Sequence, residues 1–234
     1  MMATWRGILV TAVLMIFMCI SQTSFASQNV LIGKENITLP DIKGYTIHVH
    51  STSSMFSKVK ECISICGSTN NIVALYLSNA YDTDMTIENC MEIDFLSIMD
   101  NGSEVAPGAD NTAILERIII QTNLDTAKKK LFSEIEKCTK AQSVRAGGIF
   151  RFKSAEFVNS LRGENYVVFI MKNQIEKRVG DEWKPIVSYD AMANVILKGR
   201  ILTINASDTH RQTTPEAAKE IVLHLINALN AANK

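Results

Sequence analysis

The chain has 234 residues, of which 47% are hydrophobic, and its 24 basic and 24 acidic side chains give a formal net charge of zero at pH 7. This balance lacks the basic excess that marks binding to nucleic acid or to an anionic membrane surface, so we expect no nucleic-acid partner. The length is sufficient for one domain with a sizeable hydrophobic core.

The first 26 residues have the three parts of a secretory signal peptide. Arg6 supplies a positive charge, residues 7–20 form an apolar run of 14, and Ser24-Phe25-Ala26 places small residues at a cleavage site. We predict a signal peptide at 1–26, cut after Ala26, and a single α+β domain at 27–234. The alternative is an uncleaved membrane anchor, but the run is short for a span and no later segment approaches bilayer length.

Four cysteines follow the predicted signal peptide, and export would place them in an oxidising compartment. They are Cys62, Cys66, Cys90 and Cys138. An even number permits two disulfides in any of three pairings. The spacing of Cys62 and Cys66 differs from that of thioredoxin-type redox sites and zinc knuckles. We expect at least one disulfide, and the alternative is that the cysteines are buried thiols.

The first half of the mature chain alternates between apolar segments and turn signals. Residues 29–39 are polar with isolated aliphatic side chains, which indicates a segment that runs along an edge. Apolar patterning predicts a helix at 55–66 and strands at 45–50, 71–77 and 91–99. Asp100-Asn101-Gly102 then predicts a turn.

The middle of the chain contains a β-branched run followed by a helical pattern. Ile118-Ile119-Ile120 favours a strand at 114–121 over the beginning of a long helix. A helix is predicted at 126–141, capped by Asp125, and its inner face holds Leu131, Ile135 and Cys138. Lys128-Lys129-Lys130 is interpreted as a solvated face of this helix. After the Gly147-Gly148 break we predict a strand at 149–152, a helical turn or loop at 154–161, a strand at 165–171, and a hairpin of 174–179 and 183–188.

The last forty residues predict a hairpin closed by a helix. Two apolar strands, 191–197 and 200–205, flank Lys198-Gly199, where the glycine can take positive φ. Thr213 and Glu216 predict a capping box. The helix that follows has an apolar stripe of Ala218, Val222, Leu225 and Leu229. We therefore predict an α+β fold with a mainly antiparallel sheet, helices packed on its faces, and a closing C-terminal amphipathic helix.

Several of these features resemble a known class of protein. They are Leu39-Pro40, Gly44-Tyr45, the aliphatic hairpin at 195–204, and a closing helix that ends in Leu229-Asn230-Ala231-Ala232-Asn233. The layout resembles small exported bacterial α+β proteins of unknown function, and its general arrangement is similar to PsbP-like domains. The resemblance implies an exported or lumenal binding or assembly protein. It carries over no functional residue.

His48 and His50 are the candidate metal ligands of the chain. On a strand, residues two apart point to the same face, so both imidazoles could bind one metal ion. A third ligand would come from elsewhere, such as His210 or an acid. The alternative interpretation is two exposed polar positions opposite buried Ile47 and Val49.

Several other groups of polar residues are weaker candidates for a functional site. Glu92 and Asp94 share a predicted strand face, where two carboxylates could divide acid and base roles, although a solvated face explains them as well. The acids at 82–88 and 100–104 could bind calcium, but neither has EF-hand spacing, and turn formation explains both. Asn36, Asn101 and Asn205 begin glycosylation sequons, which matter only in a eukaryotic secretory pathway.

No hydrolase elbow, nucleotide-binding loop or zinc-protease motif is present in the sequence. We therefore predict an exported protein, periplasmic or secreted, that binds an envelope protein or a small ligand. It is predicted to have no catalytic residues, no cofactor and no enzyme activity. The alternative is an exported hydrolase or metal-dependent enzyme that uses His48 and His50.

Overall fold

The computed structural model describes residues 27–49, 54–64, 72–79, 94–207 and 214–234, with the backbone alone at 62–64. The predicted signal peptide lies outside these residues, so its cleavage stays a prediction. In the described residues the strands are β1 (Gln28–Ile32), β2 (Glu35–Leu39), β3 (Tyr45–Val49), β4 (Ile72–Ser78), β5 (Phe95–Glu104), β6 (Phe150–Arg162), β7 (Tyr166–Val179), β8 (Glu182–Leu197) and β9 (Arg200–Ser207). The helices are α1 (Ser54–Ser64), α2 (Asn111–Asn123), α3 (Asp125–Arg145) and α4 (Pro215–Ala232).

Seven of these strands form one antiparallel sheet, in the order β3-β4-β5-β9-β8-β7-β6. Strands β1 and β2 form a separate two-stranded hairpin. The predicted α+β class with a mainly antiparallel sheet is therefore confirmed. Strand β9 pairs with β8 only from Ala191 onward, so β6, β7 and the first half of β8 continue as a three-stranded extension, which we call the arm.

Helix α4 and the β1–β2 hairpin cover one face of the sheet. Five apolar side chains of α4 are fully buried against residues of β8 and β9 that include Val195 and Leu202, and these five are Ala218, Val222, Leu225, Ile226 and Leu229. The predicted closing hairpin and helix face are thus confirmed. At the hairpin turn, Lys198 and Gly199 both have positive φ, 46° and 72°. A two-residue turn with this geometry matches the twist of the strands it joins.

The end of α4 holds the β1–β2 hairpin in place through Asn233. Its side-chain oxygen accepts a hydrogen bond from the Thr38 backbone N–H, and its amide nitrogen donates to the Thr38 carbonyl, both at 2.8 Å. The side-chain amide of Asn233 therefore makes the same two hydrogen bonds to the Thr38 backbone that a residue of a neighbouring strand would make. The segment predicted to run along an edge is this hairpin. Its second strand, β2, is hydrogen-bonded to Asn233 through the backbone of Thr38.

Three helices cover the opposite face of the sheet in two separate clusters. Phe56 and Val59 of α1 pack on β4 at one end, and Leu115 of α2 packs on Val167 and Phe169 of β7 at the other. Ser143 near the end of α3 donates to the carbonyl of Phe150 at 2.6 Å and accepts from its N–H at 2.9 Å, which joins α3 to the arm. No helix in the described part of the chain has the length and apolarity needed to span a membrane.

The predicted strand at 114–121 is wrong, because this segment belongs to α2. Asp110 caps the helix by accepting a 2.8 Å hydrogen bond from the Thr112 N–H. The apolar side chains turned toward the sheet follow helical spacing and are Ile114, Leu115, Ile118 and Ile119. Ile120, the third residue of the β-branched run, is 65% exposed. The tertiary contacts of one helical face therefore outweigh the strand propensity of three isoleucines.

Four further local predictions differ from the structure. Asp125 does not cap α3, because it is the first residue of the helix, and its N-cap is Leu124, which makes no side-chain capping bond. Residues 154–161 continue β6 as a strand, paired to β7 across two irregularities in register. The turn predicted at Asp100-Asn101-Gly102 is an irregularity inside β5, between Asp100 and Glu104. Helix α4 begins at Pro215 with Thr214 as its N-cap, one residue after the predicted cap, and Thr213 lies outside the described residues.

Leu225→Ala should lower the stability of the protein clearly, because Leu225 is fully buried at the centre of the α4 stripe. Truncation of a buried leucine typically reduces the free energy of unfolding by about 2–5 kcal/mol. The control is Lys219→Ala, an exposed position in the same helix. Thermal melts should show a large drop in the midpoint for the first variant and almost none for the second. Equal drops would mean that the face of α4 is wrongly assigned.

Candidate functional site

The two predicted metal ligands are not brought together within the described residues. His48 lies on β3, directly opposite Leu75 of β4, and is half-buried on the face that α1 covers. His50 lies outside the described residues. In the part of the chain that the structure describes, no group of three histidines, cysteines or acids is placed to hold a metal ion. The metal site at His48 and His50 therefore stays a prediction.

The cysteine pairing also stays a prediction. Cys138 is half-buried on α3, whose inner face also carries Leu131 and Ile135, as predicted. Cys66, Cys90 and the side chain of Cys62 lie outside the described residues. Glu92 and the acids at 82–88 lie outside them as well, while Asp94 is buried just before β5.

The second predicted calcium segment has a different role, because both of its acids bind Arg200. The guanidinium Nη2 lies 2.9 and 2.7 Å from the two carboxylate oxygens of Asp100, and Nη1 lies 2.6 Å from Oε1 of Glu104. The Arg200 side chain is only 7% exposed. Hydrogen bonding to Asp100 is the main reason that the pKa of Arg200 is raised above its ordinary value. The arginine is therefore a fixed positive charge with two acidic partners.

The backbone explains how these three residues meet. Arg200 begins β9, and Glu104 lies directly opposite it at the end of β5. The register irregularity between Asp100 and Glu104 brings both acids to the same arginine. The Val105 N–H donates to the Gly199 carbonyl at 2.8 Å, which closes the end of the strand pair. Sequence reasoning missed this cluster, since the acids precede the arginine by 100 and 96 positions.

The turn of the β1–β2 hairpin lies directly against Arg200. Gly33 in this turn has φ of 62°, and a Cβ atom there would lie 2.7 Å from Nη1 of Arg200. A glycine is therefore required for two reasons, the positive φ and the close approach. The side chain of Lys198 adds a second link, because its ammonium group donates to the Asn36 carbonyl at 2.9 Å.

A cavity of about 570 Å³ opens beside this cluster, and we call it the Arg200 cavity. Its walls come from the β1–β2 turn, the β8–β9 turn, the end of β5 and the beginning of α2, and its lining includes Lys34, Glu35, Glu104, Pro107, Asn111, Ile196, Lys198 and Arg200. Cavities of about 300–1,000 Å³ are the usual size for small-molecule sites. Charged groups of both signs and an apolar wall meet here.

Charged groups of both signs line the Arg200 cavity. Lys34 and Lys198 carry ammonium groups, and the N-terminus of α2 adds the positive end of a helix dipole. Glu35 and Glu104 carry the negative charges, and Glu104 remains 69% exposed although it binds Arg200. Arg200 forms part of the cavity wall, and its positive charge is already paired with Asp100 and Glu104. The arrangement can hold a small molecule that has both an anionic and a cationic group.

A half-buried acid, Asp190, lies where β8 leaves β9 and enters the arm. Its carboxylate accepts hydrogen bonds from Asn173 Nδ2 at 2.6 Å and from Ser207 Oγ at 3.2 Å. Burial nevertheless raises its pKa from the ordinary 3.8 to about 6, because desolvation outweighs these two bonds. The other polar atom of the Asn173 amide, Oδ1, is buried and has no hydrogen-bond partner among the described residues. Sequence reasoning did not single out this acid, and nothing in its local pattern marks it.

Comparisons with known proteins add one structural similarity. The chain is similar to the solution structure of cyanobacterial PsbP (CyanoP) from Synechocystis sp. PCC 6803, with 13% sequence identity and a TM-score of 0.33. The similarity covers 91% of this chain and 94% of that one. PsbP-like proteins are the group that the sequence layout resembles, but identity and TM-score this low transfer no property. No family model matches the sequence, and no curated protein matches it.

Gly33→Ala should destabilise the protein more than Gly180→Ala. Both glycines lie in two-residue turns with nearly equal φ, 62° and 64°, so both alanines suffer a similar backbone strain, on the order of 1 kcal/mol. Only at Gly33 does the new methyl group collide with Arg200, since nothing lies within 4 Å at Gly180. Urea unfolding of the two variants isolates the collision. Equal losses would show that the hairpin turn does not depend on Arg200.

Asp190→Asn should stabilise the protein at neutral pH. Because the pKa of Asp190 in the folded protein is about 6, above the ordinary 3.8, the stabilising effect of its protonated form is complete below about pH 4 and is lost as pH rises through 6. An amide cannot ionise, so the variant should gain on the order of 1–3 kcal/mol of unfolding free energy at pH 7.5 and little at pH 4.

Urea unfolding across this pH range measures the effect. The control is Asp181→Asn at the fully exposed tip of the arm, which should leave the profile unchanged. A loss of stability at pH 7.5 in Asp190→Asn would mean that the ionised carboxylate is the form that the fold requires.

Proposed function

We propose that the chain is an exported binding protein without enzyme activity, and that the Arg200 cavity holds its ligand. The observation that carries this proposal is a cavity of ligand size in which charged groups of both signs face one space. Its Arg200 wall is fixed by Asp100 and Glu104. A preformed wall of this kind reduces the entropy that ligand binding would otherwise cost.

The charges favour a small zwitterion, such as a free amino acid or a short peptide. A carboxylate fits near Lys34, Lys198 and the N-terminus of α2, where the ammonium groups and the helix dipole are positive. An amino group fits near Glu35 and Glu104. The apolar wall that includes Pro107 and Ile196 leaves room for a side chain.

Thermal melts in the presence of individual free amino acids test the ligand class. A ligand that binds only the folded protein raises the melting midpoint, by an amount that grows with its concentration relative to Kd. We expect at least one amino acid to do so for the unmodified protein. The double variant Lys34→Ala, Lys198→Ala should abolish this rise, whereas Lys219→Ala on the outer face of α4 should keep it.

Two outcomes would contradict the binding proposal. One is that no amino acid or dipeptide changes the midpoint. The other is that the double variant responds as the unmodified protein does. The metal-enzyme alternative has its own test, elemental analysis of the purified protein. Stoichiometric zinc or copper that disappears in His48→Ala, His50→Ala would favour that alternative.

The export part of the proposal rests on the signal pattern at 1–26. N-terminal sequencing of exported protein should begin at Ser27, after the predicted cut. Intact-mass measurement before and after reduction should show at least one disulfide among Cys62, Cys66, Cys90 and Cys138. Exported protein that still begins at Met1 would support the uncleaved anchor.

A further inference from the structure

The outermost face of α3 is a row of lysines that ends in an exposed valine. Lys130, Lys137 and Val144 are seven residues apart, which returns to nearly the same side of a helix. Lys129 and Lys140 lie beside this line and complete the set that we call the α3 ridge. All five residues are exposed, and Val144 is 72% exposed. The residues that face inward, such as Thr139 and Ser143, are buried on the opposite side.

The positive charge of the α3 ridge is not neutralised within the described residues. None of its four lysines forms an ion pair there, whereas Lys153 and Lys172 in the neighbouring arm pair with glutamates at 3.3 Å. The two glutamates of α3, Glu134 and Glu136, lie on the flanks of the ridge by helical spacing. The four unpaired lysines outnumber these two exposed glutamates, so the ridge presents a net positive charge although the whole chain is neutral.

Exposed apolar side chains accompany this charge. Among the described residues, three of the four most exposed large hydrophobic side chains lie on α2, on α3 or at the junction between them, and these are Ile120, Leu124 and Val144. A groove of about 330 Å³ runs between the C-terminal half of α3 and the edge of β6. Lys140, Arg151, Lys153 and the acidic Glu136 line it together with Phe150 and Phe152. Cations, aromatic rings and the exposed Val144 therefore meet at this groove.

We propose that the α3 ridge and its groove dock on an anionic phospholipid surface. Charge complementarity argues for an anionic occupant, and the geometry argues for a lipid. The ridge runs from Lys129 to Val144 along one helix, which at about 1.5 Å per residue is roughly 22 Å of a flat surface. Lysine stems and exposed aliphatic groups can enter the headgroup region while the ammonium groups stay at the phosphates. The groove can seat one headgroup against Lys140 and Arg151, while Lys153 in its wall is paired with Glu176.

Vesicle sedimentation tests this docking surface. The probe is phosphatidylcholine vesicles with about 30% phosphatidylglycerol, with pure phosphatidylcholine vesicles as the neutral reference. The protein should sediment with the anionic vesicles at low salt and stay in solution with the neutral ones. Salt at about 1 M should release it, because the Debye length falls to about 3 Å. Inorganic phosphate at matched ionic strength should release no more protein than chloride does.

A matched pair of charge variants decides whether the ridge is responsible. The ridge variant carries Lys129→Gln, Lys130→Gln, Lys137→Gln and Lys140→Gln. The control carries the same number of changes at exposed lysines elsewhere, which are Lys43→Gln, Lys58→Gln, Lys219→Gln and Lys234→Gln. We expect the ridge variant to lose at least about tenfold in vesicle affinity and the control to stay within about twofold, given roughly 1 kcal/mol for each lysine near an anionic surface. Circular dichroism confirms that both variants are folded.

Three outcomes would overturn the proposal. The unmodified protein could fail to sediment with anionic vesicles. The control could lose as much affinity as the ridge variant, which would make net charge the cause. The protein could bind polyglutamate through the ridge and ignore vesicles, which would assign the surface to an acidic protein partner.

Discussion

The buried guanidinium of Arg200 is the interaction on which the arrangement of the strands depends. A charged group that is 7% exposed is costly to remove from water unless its charge is paired. Asp100 and Glu104 pair with Nη2 and Nη1 from one irregular stretch of β5, whereas the buried Nε has no hydrogen-bond partner among the described residues. Strands β9 and β5 must therefore meet at one place for the charge to be matched. The turn of the β1–β2 hairpin packs against the same place through the close approach of Gly33.

This constraint also creates the space that we propose as a binding site. The two turns at Gly33-Lys34 and Lys198-Gly199 stand on either side of Arg200, and the beginning of α2 closes the third side. The network that holds the arginine keeps the wall rigid, while Lys34 and most of Glu104 remain open to solvent. The α3 ridge lies on α3 and its groove borders β6 of the arm, so a ligand in the Arg200 cavity and a lipid surface at the ridge engage different elements. A protein that binds a small molecule while it rests on a membrane surface would use the two sites in this way.

A prediction from the sequence agreed with the structure where the interactions that decide an element lie between residues close together in the chain. The face of α4 and the hairpin before it were predicted correctly, because burial of the stripe around Leu225 and the positive φ of Gly199 follow from neighbouring residues. The segment at 114–121 was predicted wrongly. Its helix is decided by the Asp110 cap and by contacts of Leu115 with a strand fifty residues later, and the β-branched run carries information about neither.

The sequence by itself determined the α+β class, the stripe of α4 and the signal pattern, since periodicity and composition are properties of short segments. Only the tertiary structure decided the partners of Arg200 and the environment of Asp190. The acids that hold Arg200 lie about a hundred positions earlier, and they fit equally well with a calcium loop or a solvated turn. The pKa of Asp190 is raised because the folded sheet desolvates its carboxylate, and the hydrogen bonds from Asn173 and Ser207 on other strands offset only part of this effect. The physical reason is the same for both groups, because desolvation and pairing depend on neighbours that the chain brings together only when the sheet is complete.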